Sequence, residues 1–235
     1  MTQRSLGEID TTVRKAAIGS GAALGLAEDL GRYAAWLAAR HLPGLQAALC
    51  VLEAFEENGL TPLHLVDLTA ATTALPRGQS ALMVAPFVQD TLTLHGQAGQ
   101  STRIELPALT APLLCLPAAA MAAQTLPVTV QLRIGCNGDA FEAHCRSDRV
   151  TIAGTLPVTI GDVSIQTHDR QRAAAIQPPS SSDPLGQAWQ TSVTEGVPTD
   201  DTLWHALSER AARTMVPASA TSRALGAGAG AIDND

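Results

Sequence analysis

Lysine is almost absent from this chain: Lys15 is the only one among 15 basic residues, set against 22 acidic residues for a formal net charge of −7. An acidic chain without basic runs lacks the electrostatic footprint of a nucleic-acid binder, so no nucleic-acid partner is expected. Aromatic residues make up only 3%, which removes most of the rigid anchors that dominate interfaces or stack on bases. No run of about 20 apolar residues occurs. The longest apolar-rich piece, Ala108 to Ala123, is broken by Pro112 and Pro117, so no membrane partner is expected either. The opening MTQRSLGEIDTTVRKAA alternates charge with apolar residues and has no secretory hydrophobic stretch, making the cytoplasm the expected compartment.

Metal and nucleophile signatures are also missing. Cys50, Cys115, Cys136 and Cys145 show no CxxC spacing and read as reduced thiols. A turn at Asn137-Gly138 would pair Cys145 with a residue near 130, which leaves Cys136 several residues away along the ladder. His144 and Cys145 are neighbours on an expected strand and so point to opposite faces, which prevents them from sharing a metal. Neither HExxH, paired-His spacing nor GxSxG occurs. No metal ligands and no cofactor are assigned.

What is present is apolar and small. Hydrophobic residues supply 46% of the 235 positions, with alanine and leucine prominent, and the chain is long enough to bury a core without staples. Residues 1–60 read as three helices. Ser5 and Glu8 form a capping box ahead of Leu6, Ile9 and Val13; Leu26, Leu30, Tyr33 and Leu37 form a second stripe; Leu45, Leu49, Leu52 and Phe55 a third, stopped by Asn58-Gly59. From residue 78 to 170 the pattern favours a mainly antiparallel β region. Ser80 to Leu94 reads as strand, and Val128, Val130, Leu132 and Ile134 are answered after GCNGDA by Phe141, Ala143 and Cys145. Residues 176–198 read as a Pro/Ser-rich loop. Residues 199–235 read as a helix capped by Thr199, with Leu203, Leu207 and Ala211 on its apolar face, followed by an ordered tail. The expected class is α+β, a helical layer on a mainly antiparallel central sheet within one composite domain.

Three stretches invite a functional reading. Gly19-Ser20-Gly21 opens a helix, but the preceding residues form a helix where a dinucleotide fingerprint needs a strand. A helix-to-helix turn is the better reading. His64 and Asp67 have the spacing of a His–carboxylate pair, though loop histidines of this kind are usually surface residues. The tail is the densest. Arg213, Ser219, Ser222 and Arg223 offer guanidinium and hydroxyl contacts to an anion, and Gly226, Gly228 and Gly230 leave backbone amides unhindered. Asp233 and Asp235 add carboxylates for an amine or a metal. These residues are the expected ligand-binding set for a small anionic metabolite, in an enzyme or accessory subunit. The competing expectation is a non-catalytic assembly partner, in a homo-oligomer or beside a partner enzyme, whose tail docks into another subunit.

The opening SLGEIDTTVRKAAIGSGAALGLAEDLGRYAAWL and the closing RTMVPASATSRALGAGAGAIDND resemble a bacterial family known as a domain of unknown function. That resemblance implies no activity. The N-terminal helices are also similar to the opening helices of the malate/lactate dehydrogenase family outside the Rossmann group. There a Ser-His-Gly motif carries a catalytic histidine. Here the neighbourhood reads His41-Leu42-Pro43-Gly44-Leu45, without that motif, which argues against nicotinamide chemistry.

Overall fold

Two reciprocal hydrogen bonds open the first helix. The Ser5 hydroxyl accepts from the Glu8 amide at 3.2 Å and the Glu8 carboxylate accepts from the Ser5 amide at 2.9 Å, forming the expected capping box. The computed structural model describes residues 1–60, 63, 70–136, 138–157, 159–169 and 183–214. A short strand β1 (Thr2–Arg4) precedes α1 (Leu6–Gly19), α2 (Leu24–Ala38) and α3 (Gly44–Asn58). Ile9, Val13, Leu30, Tyr33, Leu37, Val51 and Leu52 are all buried, so each helix turns its apolar stripe inward. The glycines after Ile18 end α1 and lead into α2, which is the helix-to-helix turn expected there. Gly59 closes α3 at φ 70°, a backbone conformation suited to glycine.

The sheet is built from β2 (Thr72–Ala74), β3 (Arg103–Thr110), β4 (Val128–Cys136), β5 (Asp139–Cys145), β6 (Val150–Gly154) and β7 (Ile160–Asp169). Its order is β2-β3-β7-β4-β5-β6, and only the β2–β3 pairing is parallel. The β4–β5 hairpin has the expected register, with Val130 opposite Cys145 and Cys136 opposite Asp139. Val130, Leu132, Ile134, Phe141, Ala143 and Cys145 face the core. On the other face Glu142 accepts from Gln131 and contacts His144 at 2.9 Å, so His144 and Cys145 do diverge.

Two helices lie where strand was expected or no element was assigned. Ser80 to Leu94 is not strand: α4 (Ala81–Gln97) begins behind a Ser80 cap that accepts from the Leu82 amide. Its Leu, Val, Thr and Phe content suggested a β element, yet Ala81, Ala85, Val88, Leu92 and His95 are buried at helical spacing, and tertiary packing overrides propensity. The Ala108–Ala123 piece contains α5 (Cys115–Thr125), which is buried on nearly all sides and packs on α4, β4 and β5. Of the expected 176–198 loop, residues 176–182 lie outside the described residues, and from Asp183 on the chain is helix and strand instead. Asp183 caps the Gly186 amide at 3.0 Å, Pro184 occupies the first turn, and α6 (Pro184–Glu195) follows.

Beyond α6, β8 (Val197–Thr199) pairs antiparallel with β1, and α7 (Asp201–Ala212) packs on α1 and α3. The α7 cap is Asp200, not the expected Thr199. The Asp200 carboxylate accepts from the Thr202 and Leu203 amides, while Thr199 is the last residue of β8. The architecture is α+β, as expected.

Candidate functional site

The tail set divides at the limit of the described residues. Ser219, Ser222, Arg223, Gly226, Gly228, Gly230, Asp233 and Asp235 lie outside them, as do His64 and Asp67. Arg213 lies at the end of α7, where its guanidinium donates to Glu56 at 2.6 Å. Arg210 donates to the same carboxylate at 3.0 Å and the Ser20 hydroxyl at 2.7 Å, tying α1, α3 and α7 together. Burial alone would raise the Glu56 carboxyl, but the hydrogen bonds from Ser20, Arg210 and Arg213 outweigh it and hold the group below 4.5. A depressed carboxylate stabilises the fold above its unfolded pKa and loses that contribution as pH falls through its folded value. Glu56→Gln is expected to cost about 1 kcal/mol near neutrality and progressively less below 4.5. Urea denaturation at both ends of that range checks it, and an equal loss at both would remove the ion-pair account.

The structure points elsewhere for a ligand. A cleft of about 430 Å³ opens between the α2–α3 connection and the β8–α7 connection. Its apolar wall includes Leu42, Leu45, Val197 and Leu203. Its polar groups come from the two connections.

Each connection has a local cause. Past Ala38 the chain closes α2 with a His41 amide bond to the Ala38 carbonyl at 3.0 Å and a Leu42 amide bond to the Leu37 carbonyl at 3.0 Å. This is the paired pattern of a Schellman ending, whose turning residue is usually glycine. Here it is His41 at φ 56°. A non-glycine residue in that conformation costs about 1–2 kcal/mol, so a histidine with a strained backbone lines the cleft. Pro43 then occupies the cap position of α3, with no side chain to cap the helix. The Ala47 amide bonds to the Pro43 carbonyl, whereas the Leu45 and Gln46 amides have no acceptor among the described residues. Orphan amides at the positive end of a 15-residue helix favour an anion.

Gly44 makes this arrangement possible. A Cβ there would overlap the Ala34 carbonyl and press on the Ala38 amide and the Leu37 Cβ, so α3 starts hard against α2. On the far wall the Asp200 carboxylate caps α7, and the buried Thr199 hydroxyl donates to the Val197 carbonyl at 3.1 Å. The cleft can therefore hold a carboxylate on the α3 amides, with His41 in its wall and an apolar ligand body against Leu45 and Val197. Among the described residues, no group of three or more His, Cys, Asp or Glu converges as a metal site. Sequence reasoning passed over the cleft because backbone amides leave no residue signature. The usable signals were a helix start at Pro43-Gly44 with no capping side chain, and histidine where glycine usually ends a helix.

Solved structures share this architecture. Malate dehydrogenase from Entamoeba histolytica superposes with a TM-score of 0.67 at 7% identity, over 92% of this chain and 99% of that one. Sulfolactate dehydrogenase from Methanocaldococcus jannaschii gives 0.60 at 7% identity, over 89% and 96%. Delta1-piperideine-2-carboxylate reductase from Pseudomonas syringae gives 0.56 at 10% identity, over 89% and 100%. Among the described residues, no helix is long and apolar enough to cross a membrane. No curated protein matches the sequence. The chain shares the fold of these solved structures, and its residues 4–73 match a family described as a protein of unknown function (DUF3726), in agreement with the resemblance at the N-terminal end.

Proposed function

We propose that this is a metabolic protein that binds a small carboxylate-bearing metabolite in the cleft between the α2–α3 and β8–α7 connections. The observation that carries the reading is the uncapped α3 N-terminus, whose Leu45 and Gln46 amides lack acceptors among the described residues, in a cleft that also contains His41. The names of the solved structures support it at the level of ligand class, since malate, sulfolactate and piperideine carboxylate are all small carboxylates. Hydride transfer is not part of the proposal, because the Ser-His-Gly motif of the similar dehydrogenase family has no counterpart at His41-Leu42-Pro43-Gly44-Leu45.

Two charged hydrogen bonds at a partly open helix end imply a dissociation constant on the order of 1 mM. Calorimetric titration with malate and acetate is expected to show saturable binding, and neutral acetamide none. His41→Gly separates function from stability. It should raise stability by about 1 kcal/mol by relieving the left-handed strain and weaken malate binding roughly tenfold. Loss of stability together with unchanged affinity would sink the assignment of His41.

The tail-centred form of the proposal assigns the anion to Arg223 with Ser219, Ser222 and the three glycines. Truncation after Met215 distinguishes the two. The cleft reading predicts affinity unchanged within about twofold; loss of binding would transfer the site to the tail. A fall in oligomeric mass of the same truncated protein would favour the assembly role.

A further inference from the structure

We propose that a groove between the C-terminal turn of α6 and the β1–α1 connection binds a primary alkylammonium group on a short apolar stem. The groove has a volume of about 460 Å³ and shares no lining residue with the cleft at His41. Leu6 and Val193 supply apolar wall, and Gln3, Ser192 and Glu195 supply polar groups.

Ser192 carries the argument. With Leu185 it is one of the two residues that α6 buries, so a hydroxyl occupies a place where an apolar side chain would pack. Ser192 is 2% exposed, and its hydroxyl has no hydrogen-bond partner. A helix offers such a hydroxyl the carbonyl three or four residues back. Thr194 takes that option, donating to the Thr191 and Gln190 carbonyls at 3.0 and 3.2 Å, and Ser192 does not. A buried polar side chain without a partner is uncommon in a folded protein and marks a position that an outside group completes.

The surroundings set the sign of that group. The Gly196 amide closes α6 on the Ser192 carbonyl at 3.1 Å, whereas the Val193, Thr194 and Glu195 carbonyls accept no bond among the described residues. They form the negative end of the helix, and no basic residue stands in its last turn. Glu195 adds a carboxylate that makes no ion pair among the described residues, an unfavourable position for a negative charge unless a cation joins it. Arg4 does not fill that role. Strand alternation in β1 turns its side chain away from Gln3, and its guanidinium lies over the Trp204 ring at 4.5 Å and 3.8 Å from Glu8. The groove therefore has acceptors and negative charge in excess of donors. An ammonium carries three donors and no acceptor, so it can be shared between the Ser192 hydroxyl, a helix-end carbonyl and Glu195 while its stem lies along Leu6 and Val193.

Amide spectra of the ¹⁵N-labelled full chain at neutral pH, titrated separately with butylammonium chloride, 1-butanol and sodium butyrate, test the proposal. Butylammonium should give saturable shifts at Ser192, Glu195 and Gly196 with a dissociation constant on the order of 1 mM, and the alcohol and butyrate none at those positions. Glu195→Gln, an exposed change, should weaken amine binding roughly tenfold. Ser192→Ala should weaken it by a similar factor and leave the melting temperature unchanged or higher, because it removes a hydroxyl that has no partner in the fold. His41→Gly, in the other cleft, should leave amine binding unchanged. Absence of saturable butylammonium binding, equal binding of 1-butanol, or full binding by both groove variants would overturn the site. A lower melting temperature for Ser192→Ala would overturn it too, since the hydroxyl would then be satisfied within the fold.

Discussion

Gly44→Ala is expected to destabilise the protein by about 3 kcal/mol, the upper end of the usual cost of overpacking, and to lower the melting temperature by about 6–12 °C. The methyl would meet the Ala34 carbonyl and, behind it, the Ala38 amide and the Leu37 Cβ. These are backbone and near-backbone atoms of α2, and no rotamer change can move them aside. The two helices must separate, and the start of α3 must shift with them. The same substitution should therefore weaken malate binding, because the Leu45 and Gln46 amides move with the α3 N-terminus. Urea denaturation gives the stability and titration gives the affinity. A loss below about 1 kcal/mol would show that the α2–α3 contact is looser than described.

Phe141→Ala is expected to cost about 4 kcal/mol, within the range for truncating a fully buried aromatic. Phe141 is 1% exposed on β5, directly opposite Ile134 in the hairpin. Its side chain belongs to the core that the sheet shares with the small side chains of α5. A helix made largely of alanine has little freedom to fill the resulting space, since its side chains have no rotamers to redirect. The cavity should stay largely open, and the cost should sit well above that of the lost transfer energy alone. A drop below about 2 kcal/mol in urea would indicate that α5 collapses onto the sheet.

The parts of the fold visible in the sequence are those governed by local chemistry. Ser5 and Glu8 form the α1 cap within four residues, Asn58-Gly59 stops α3, and GCNGDA forces the turn that sets the β4–β5 register. Where packing decides, sequence pattern failed for identifiable reasons. α5 is buried on nearly every side and so has no polar face to create a period. α4 has a helical period, and its packing overrides the strand propensity of its Val, Thr and Phe residues. α6 carried a legible start in Asp183-Pro184, obscured by the Ser/Pro composition before it.

The candidate site was less visible still. Composition drew attention to the tail, and Arg213, its one described member, is engaged with Glu56. The cleft joins residues 41–46 to residues 197–203, which are brought together by the β1–β8 pairing and the packing of α7 on α1 and α3. Its binding groups are backbone amides, for which a sequence has no letter.

The most direct test of this account is a two-dimensional amide spectrum of ¹⁵N-labelled protein titrated with sodium malate. The cleft reading predicts saturable shifts at the Leu45 and Gln46 amides, absent with acetamide and strongly reduced in the His41→Gly variant. Malate binding that leaves those two amides unmoved, or shifts confined to residues outside the cleft, would contradict it.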